Sequence, residues 1–172
     1  MTAAIADDFT KEGPEPESPD NIPDAIRFFV RQRSPMIVMT WVAIALPIRL
    51  YLGDWSIWDL AVAGALLAWW PFKEWLIHVH VLHFKPRKIG RWTFDPMNAR
   101  KHRRHHRNPW RIDILFIPEH TFLYGIPLLA LFWLSAMPTP ALGFTGLALE
   151  GLLTLHYEWV HFMVHTRYKP KS

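Results

Sequence analysis

Residues 141–165 read ALGFTGLALEGLLTLHYEWVHFMVH. The run is apolar from Ala141 to about Val164, and a membrane-spanning helix needs ~20 mostly apolar residues. Its far end carries His161 and His165, four apart, so they share one helix face and can grip one metal. Imidazole is the commonest protein ligand for redox-capable metals. A lipid-length helix ending in such a pair predicts a metal site at a membrane surface.

Three further apolar stretches precede it: about Met36 to Leu52, Ile57 through Trp70 continuing less purely to His83, and Ile112 to Ala136. The first is marginal in length. The second is short before Pro71 and Lys73, which leaves a re-entrant or interfacial segment as its alternative reading. A chain of 172 residues that is 51% hydrophobic, with ten Trp, suits buried or lipid-facing helices more than a water-soluble domain. With no cysteine, disulfides, iron–sulfur ligation and thiolate zinc are excluded, so any metal is held by imidazole and carboxylate. Residues 1–24 carry seven acids against Lys11, with Pro14, Pro16, Pro19 and Pro23. That composition predicts a disordered acidic tail rather than a signal peptide. Residues 25–172 form the expected membrane domain.

Basic residues set the orientation. Arg27, Arg31 and Arg33 precede the first span, and Arg167, Lys169 and Lys171 follow the fourth. Between His83 and Ile112 lie ten Lys and Arg, from Lys85 to Arg111, opposed only by Asp95. The connections 53–58 and 137–140 contain neither Lys nor Arg. The positive-inside rule then predicts an all-α, four-helix transmembrane bundle, multi-pass, with both termini and the long loop cytoplasmic. The loop's charge reads as a topology signal touching anionic lipid, and not as a nucleic-acid site.

Seven of the ten histidines fall into three groups: His78 and His83; His102, His105 and His106; His161 and His165. At ~1.5 Å per residue, His78 and His161 each lie ~30 Å along their spans, about one hydrocarbon thickness. The middle group is already cytoplasmic, so all three reach one level. His78 and His83, five apart, sit ~140° around an ideal helix, whereas His80 and His83 would share a face better. Geometry leaves the choice between His78 and His80 open. Glu119, His120, Glu150 and His156 are the costly groups inside the spans, read first as Glu–His pairs bracing the bundle.

The pattern H-x4-H, H-x2-H-H, H-x3-H, with the words Glu74–His78, Lys101–Arg107 and His156–His161, resembles the fatty acid hydroxylase / sterol desaturase superfamily from roughly Pro71 onward. The resemblance implies an integral-membrane oxidoreductase with two iron ions, held by His78, His83, His102, His105, His106, His161 and His165. It implies O2-dependent hydroxylation or desaturation of a lipid in lipid biosynthesis, a fatty acyl chain, a sterol or a carotenoid. No flavin, haem or nicotinamide motif is present, so an external reductase supplies the electrons. Glu74 or Glu158 fits as a carboxylate fixing a histidine ring. The family carries a further H-x2-H-H box after the fourth span, and this chain ends at Ser172 before one. The expectation is a C-terminally truncated member, with His80, His120 or His156 as substitute ligands otherwise. An inactive fragment and a non-catalytic membrane metal-binding protein are the alternatives.

Overall fold

Apolar runs broken by prolines and short polar turns give helices, and the computed structural model, which describes residues 17–170, is built mostly of them. The chain runs α1 (Ile22–Phe29), α2 (Arg33–Leu52), α3 (Ile57–Leu76), a π turn (Ile77–Leu82), strands β1 (Arg87–Ile89) and β2 (Trp92–Phe94), α4 (Met97–Arg107), a 3-10 turn (Ile112–Ile114), α5 (Glu119–Ala136) and α6 (Pro140–Val164). The helix starts follow the usual capping chemistry. Asn21 accepts from the Asp24 N–H and precedes α1. Ser56 and Asp59 form a reciprocal capping box at α3. Thr139 caps α6, with Pro140 in its first turn.

Helix α6 is the axis of the molecule, with α2, α3 and α5 packed around it. Val38, Trp41 and Ala45 of α2, Leu66 of α3, Phe122 and Trp133 of α5, and Leu147 and Ala148 of α6 make the main core. Glycines let the neighbours approach. A methyl at Gly146 would collide with the Trp133 indole, and one at Gly151 would meet Val42 Cγ2 at 2.8 Å. Small residues serve this purpose where helices pack in lipid. A second core, Ala25, Phe29, Ile112, Leu115, Phe116 and Phe162, joins α1 and the approach to α5 to the C-terminal end of α6.

Among the described residues, three helical stretches are long and apolar enough to cross a membrane: Arg33–Leu52, Ile57–Leu82 and Ile112–Ala136. Their outward faces carry Leu60, Leu67, Trp69, Phe72, Leu128, Leu131 and Phe132, all exposed. So broad an apolar surface marks association with a membrane. Helix α6, expected as a comfortable fourth span, is 25 residues long but is not one of the three. Thr145, Glu150, Thr154, His156, Glu158 and His161 dilute its apolar character. It is instead the most enclosed helix, buried against its neighbours along Ala141, Leu142, Gly146, Leu147, Ala148, Glu150 and Glu158.

Two outcomes concern the ends of the loops and the tail. The long basic loop holds a β-hairpin that the sequence reading did not anticipate. Of the acidic tail, residues 1–16 lie outside the described residues. Ile22–Asp24 already belong to α1, and the Pro19 carbonyl accepts from the Arg167 N–H at 3.0 Å.

At the end of the bundle opposite the histidines, a buried polar lock closes the α2–α3 turn. Arg49, 1% exposed, pairs with Asp59 at 2.7 Å and donates to Thr145 Oγ1 at 2.5 Å and to the Gly53 carbonyl. Its guanidinium lies 3.7 Å over the Trp55 ring. Gly53, at φ +63, takes the left-handed conformation this turn requires. Neither Arg49 nor Asp59 was singled out from the sequence.

Candidate metal centre

The π turn decides how the first histidine pair is presented. In an α-helix residues five apart diverge, but a π turn bonds residue i to i+5. Here the His83 N–H donates to the His78 carbonyl at 3.1 Å, and the two side chains follow the backbone together. Their Nε2 atoms are 3.1 Å apart. The structure therefore brings His83 to His78 and not to His80, which is exposed and packs edge-on against Trp75.

Helix α4 presents its histidines on two adjoining faces. His102 and His106, one turn apart, hold their Nε2 atoms 2.9 Å from each other. They face the first pair, with ring centroids 4.8 Å apart for His78–His102 and 4.9 Å for His83–His106. One ligand nitrogen from each of these four residues lies within 4.8 Å of all the others. His105 turns the other way, to His161 and His165 of the α6 end, at 5.1 and 4.7 Å between centroids. Those three form a second group with nitrogens again within 4.8 Å. The groups adjoin at α4, where His105 is 6.1 Å from His102 and 5.8 Å from His106. All seven histidines expected from the sequence are thus gathered, as a quartet and a trio.

The donor set fits metal ions on two observations. Metal–imidazole bonds of ~2.0–2.1 Å place nitrogens that share an ion roughly 3 Å apart, the spacing seen within each pair of the quartet. Also, Nδ1 of His105 and Nδ1 of His165 are buried with no hydrogen-bond partner, a costly state for a polar atom in a native core. The His102 and His105 rings are also held neutral, as ligands must be. Burial first, then repulsion from His106, His78, His83 and His105, lowers His102 to about 3. Burial, then His165 and His106, lowers His105 to about 4.

A cavity of about 570 Å³ opens beside the centre. His78, His102, His105 and His161 line one side, and Val81, Leu82, Ile114, Leu115 and Phe116 supply apolar walls. Lys101, also at its wall, donates to the Phe116 carbonyl at 2.7 Å and ties α4 to the approach of α5. Thr121 and Asn98 make a second tie at 3.2 Å.

The acids take other roles than expected. Glu158 fixes no histidine ring: it accepts from the Ser34 hydroxyl and from the Ile117 N–H at 3.0 Å, clamping α2 and the α5 approach to α6. The expected Glu–His braces do not form among the described residues. Glu150 pairs with Lys73 at 2.5 Å, and Glu119 with Arg33 at 3.3 Å. Lys73 also sits 3.7 Å over the Trp70 ring, which shields its charge. His120 stands in the first turn of α5 beside Tyr124, because Pro118 delays the helix start. His156 is exposed, and neither it nor His120 joins the two groups. Arg103 was missed entirely. It lies on α4 between the ligands and reaches back to the Phe84 carbonyl at 2.6 Å and to both Asp95 oxygens at 2.6 and 2.8 Å.

Comparison with protein-family models, curated proteins and solved structures finds no match for this chain.

Proposed function

We propose that this chain is a membrane-bound, non-haem di-iron oxygenase that hydroxylates or desaturates a lipid. The observation that carries the reading is the junction of seven imidazoles with an apolar cavity at one end of a bundle of membrane-length helices. The quartet His78, His83, His102 and His106 would hold one ion, and the trio His105, His161 and His165 the other. The resemblance of the histidine spacing to the fatty acid hydroxylase / sterol desaturase superfamily supports the same assignment. Iron bound there would activate O2 for attack on a C–H bond.

The remaining work falls to the chain itself. Val81, Leu82, Leu115 and Phe116 line a space suited to a hydrocarbon chain and poor for water. Unprotonated rings leave their lone pairs free for metal near neutral pH. Hydroxylation takes R–H, O2, two electrons and two protons to R–OH and water, and desaturation takes the same reactants to an alkene and two waters. An external reductase supplies the electrons in either case. In this reading α6 is a fourth span, and both termini, the hairpin and the histidines are cytoplasmic, on the distribution of Lys and Arg.

The test is a cobalt(II) titration of the detergent-purified chain, followed by incubation of the iron-loaded protein with lipid, O2 and a reductant. Histidine-ligated cobalt bands are expected, weakened by His78→Ala or His161→Ala and unchanged in His80→Ala. Oxidised lipid carrying label from 18O2 supports hydroxylation, and an alkene supports desaturation. Metal binding without any lipid product makes the chain a non-catalytic metal holder and overturns the proposal.

A further inference from the structure

The segment between the π turn and α4 folds into strands that stay exposed, although Phe84 meets the Phe94 ring edge-on and lies beneath the Arg87 guanidinium. Arg87 pairs with Phe94, Lys88 with Thr93 and Ile89 with Trp92. Gly90, with φ +60, makes the tight turn, as a glycine at the first central position of a two-residue loop does. Pleating places Arg87, Ile89, Trp92 and Phe94 on one face, and Lys88 and Thr93 on the other. Every residue from 85 to 94 is exposed, with Trp92 at 77% and Ile89 at 63%. A two-stranded hairpin this exposed is marginal in water, so a covering surface is called for.

Composition and position identify that surface. Arg87 shares the apolar face, Lys85 and Arg91 flank the strands and Lys88 lies on the other face, with no acid between 85 and 94. The hairpin begins just past the end of the candidate span Ile57–Leu82, at the depth of lipid headgroups. Tryptophan flanked by Lys and Arg at that depth is the make-up of an interfacial anchor. We propose that the hairpin is an anionic-lipid anchor that seats Ile89, Trp92 and Phe94 among the headgroups and sets Lys85, Arg87 and Arg91 against lipid phosphates. An acidic protein would answer the cations but not the apolar face beside the bilayer. Arg103 carries the anchor's position inward: it grips Phe84 and Asp95, on either side of the hairpin, from a site on α4 between His102 and His105. The proposal rests on the membrane-spanning reading of the helices and is independent of which metal the histidines hold.

The chain lacks cysteine, so single labels are clean. The full chain bearing Ile89→Cys with an environment-sensitive fluorophore is reconstituted in phosphatidylcholine vesicles, with or without phosphatidylglycerol as about a third of the lipid. Quenching by headgroup-labelled lipid is expected to be at least about twofold greater in the anionic vesicles, and to fall to the neutral level with Arg87→Gln/Arg91→Gln or in high salt. A second label at Leu131→Cys, on the exposed face of α5, should be quenched by deep-labelled lipid in both compositions. A water-exposed label at 89 with a lipid-quenched label at 131 overturns the anchor. Equal quenching at 89 in both lipids overturns its anionic preference. Shielding of 89 only in native membrane extract assigns the face to a protein partner and also overturns it. No quenching at 131 overturns the spanning reading beneath the proposal.

Discussion

Burial and mutual repulsion set the chemistry of the individual histidines. The lowered values of His102 and His105, about 3 and about 4, lie below the ~6.5 of a free imidazole. Without metal, the native state therefore binds fewer protons than the unfolded chain as pH drops beneath ~6.5. Stability from these neutral rings is complete above that pH and is lost as pH falls through 6.5 toward 4 and 3. Thermal unfolding of the metal-free protein in detergent should give a flat midpoint from pH 8 to 7 and a steep decline between pH 6.5 and 4. His102→Gln should flatten that decline, and an unchanged profile in the variant would remove His102 as its source. The buried carboxylate of Glu158 follows a different logic. Glu158→Ala leaves the Ser34 hydroxyl and the Ile117 N–H without their acceptor, and each orphaned group costs about 1–3 kcal/mol.

At the level of elements, α4 depends on Arg103, whose guanidinium fork closes the loop against it with one nitrogen on the Phe84 carbonyl and the other on the Asp95 carboxylate. A lysine keeps the charge but not the fork. Arg103→Lys and Arg103→Ala should each weaken cobalt(II) binding by ~10–100-fold, the usual cost of losing support behind metal ligands, with Ala the more severe. Equal cobalt affinity in wild type and both variants would show that the hairpin and α4 are seated separately. How much of this was legible depends on the kind of pattern. Apolar length gave α2, α3 and α5, and the one-turn spacing of His102/His106 and His161/His165 gave their pairing. Spacing left the partner of His83 open between His78 and His80 because 3.6-residue counting does not describe a π turn, and no local residue signals one. The hairpin's strands are three residues each, too short for alternation to register. Glu150 and Glu119 found Lys73 and Arg33 rather than histidines because partners distant in sequence leave no trace in local spacing.

Across the whole molecule the two ends differ in character. One end is closed by the Arg49–Asp59–Thr145 lock, and breaking such a buried pair typically costs 3–5 kcal/mol, roughly. Asp59→Asn should lower the unfolding midpoint sharply while leaving cobalt(II) affinity of the folded protein unchanged, since the histidines lie at the other end. Sidedness is tested by cysteines placed one at a time at positions 54, 139 and 100. Labelling of 54 and 139 from one side and of 100 from the other is expected, and labelling of 54 and 100 from the same side would refute the four-span arrangement. The histidine end is itself unequal in its access to water. His83 and His106 are exposed, whereas His105 is buried behind them. An ion held by the quartet would lie nearer solvent than one held by the trio. Exchange therefore has an order: a chelator such as EDTA should strip metal in two kinetic phases, the outer ion first and the inner one slowly. His83→Ala should abolish the fast phase and leave the slow one, so that the protein unloads as a vestibule with an inner chamber.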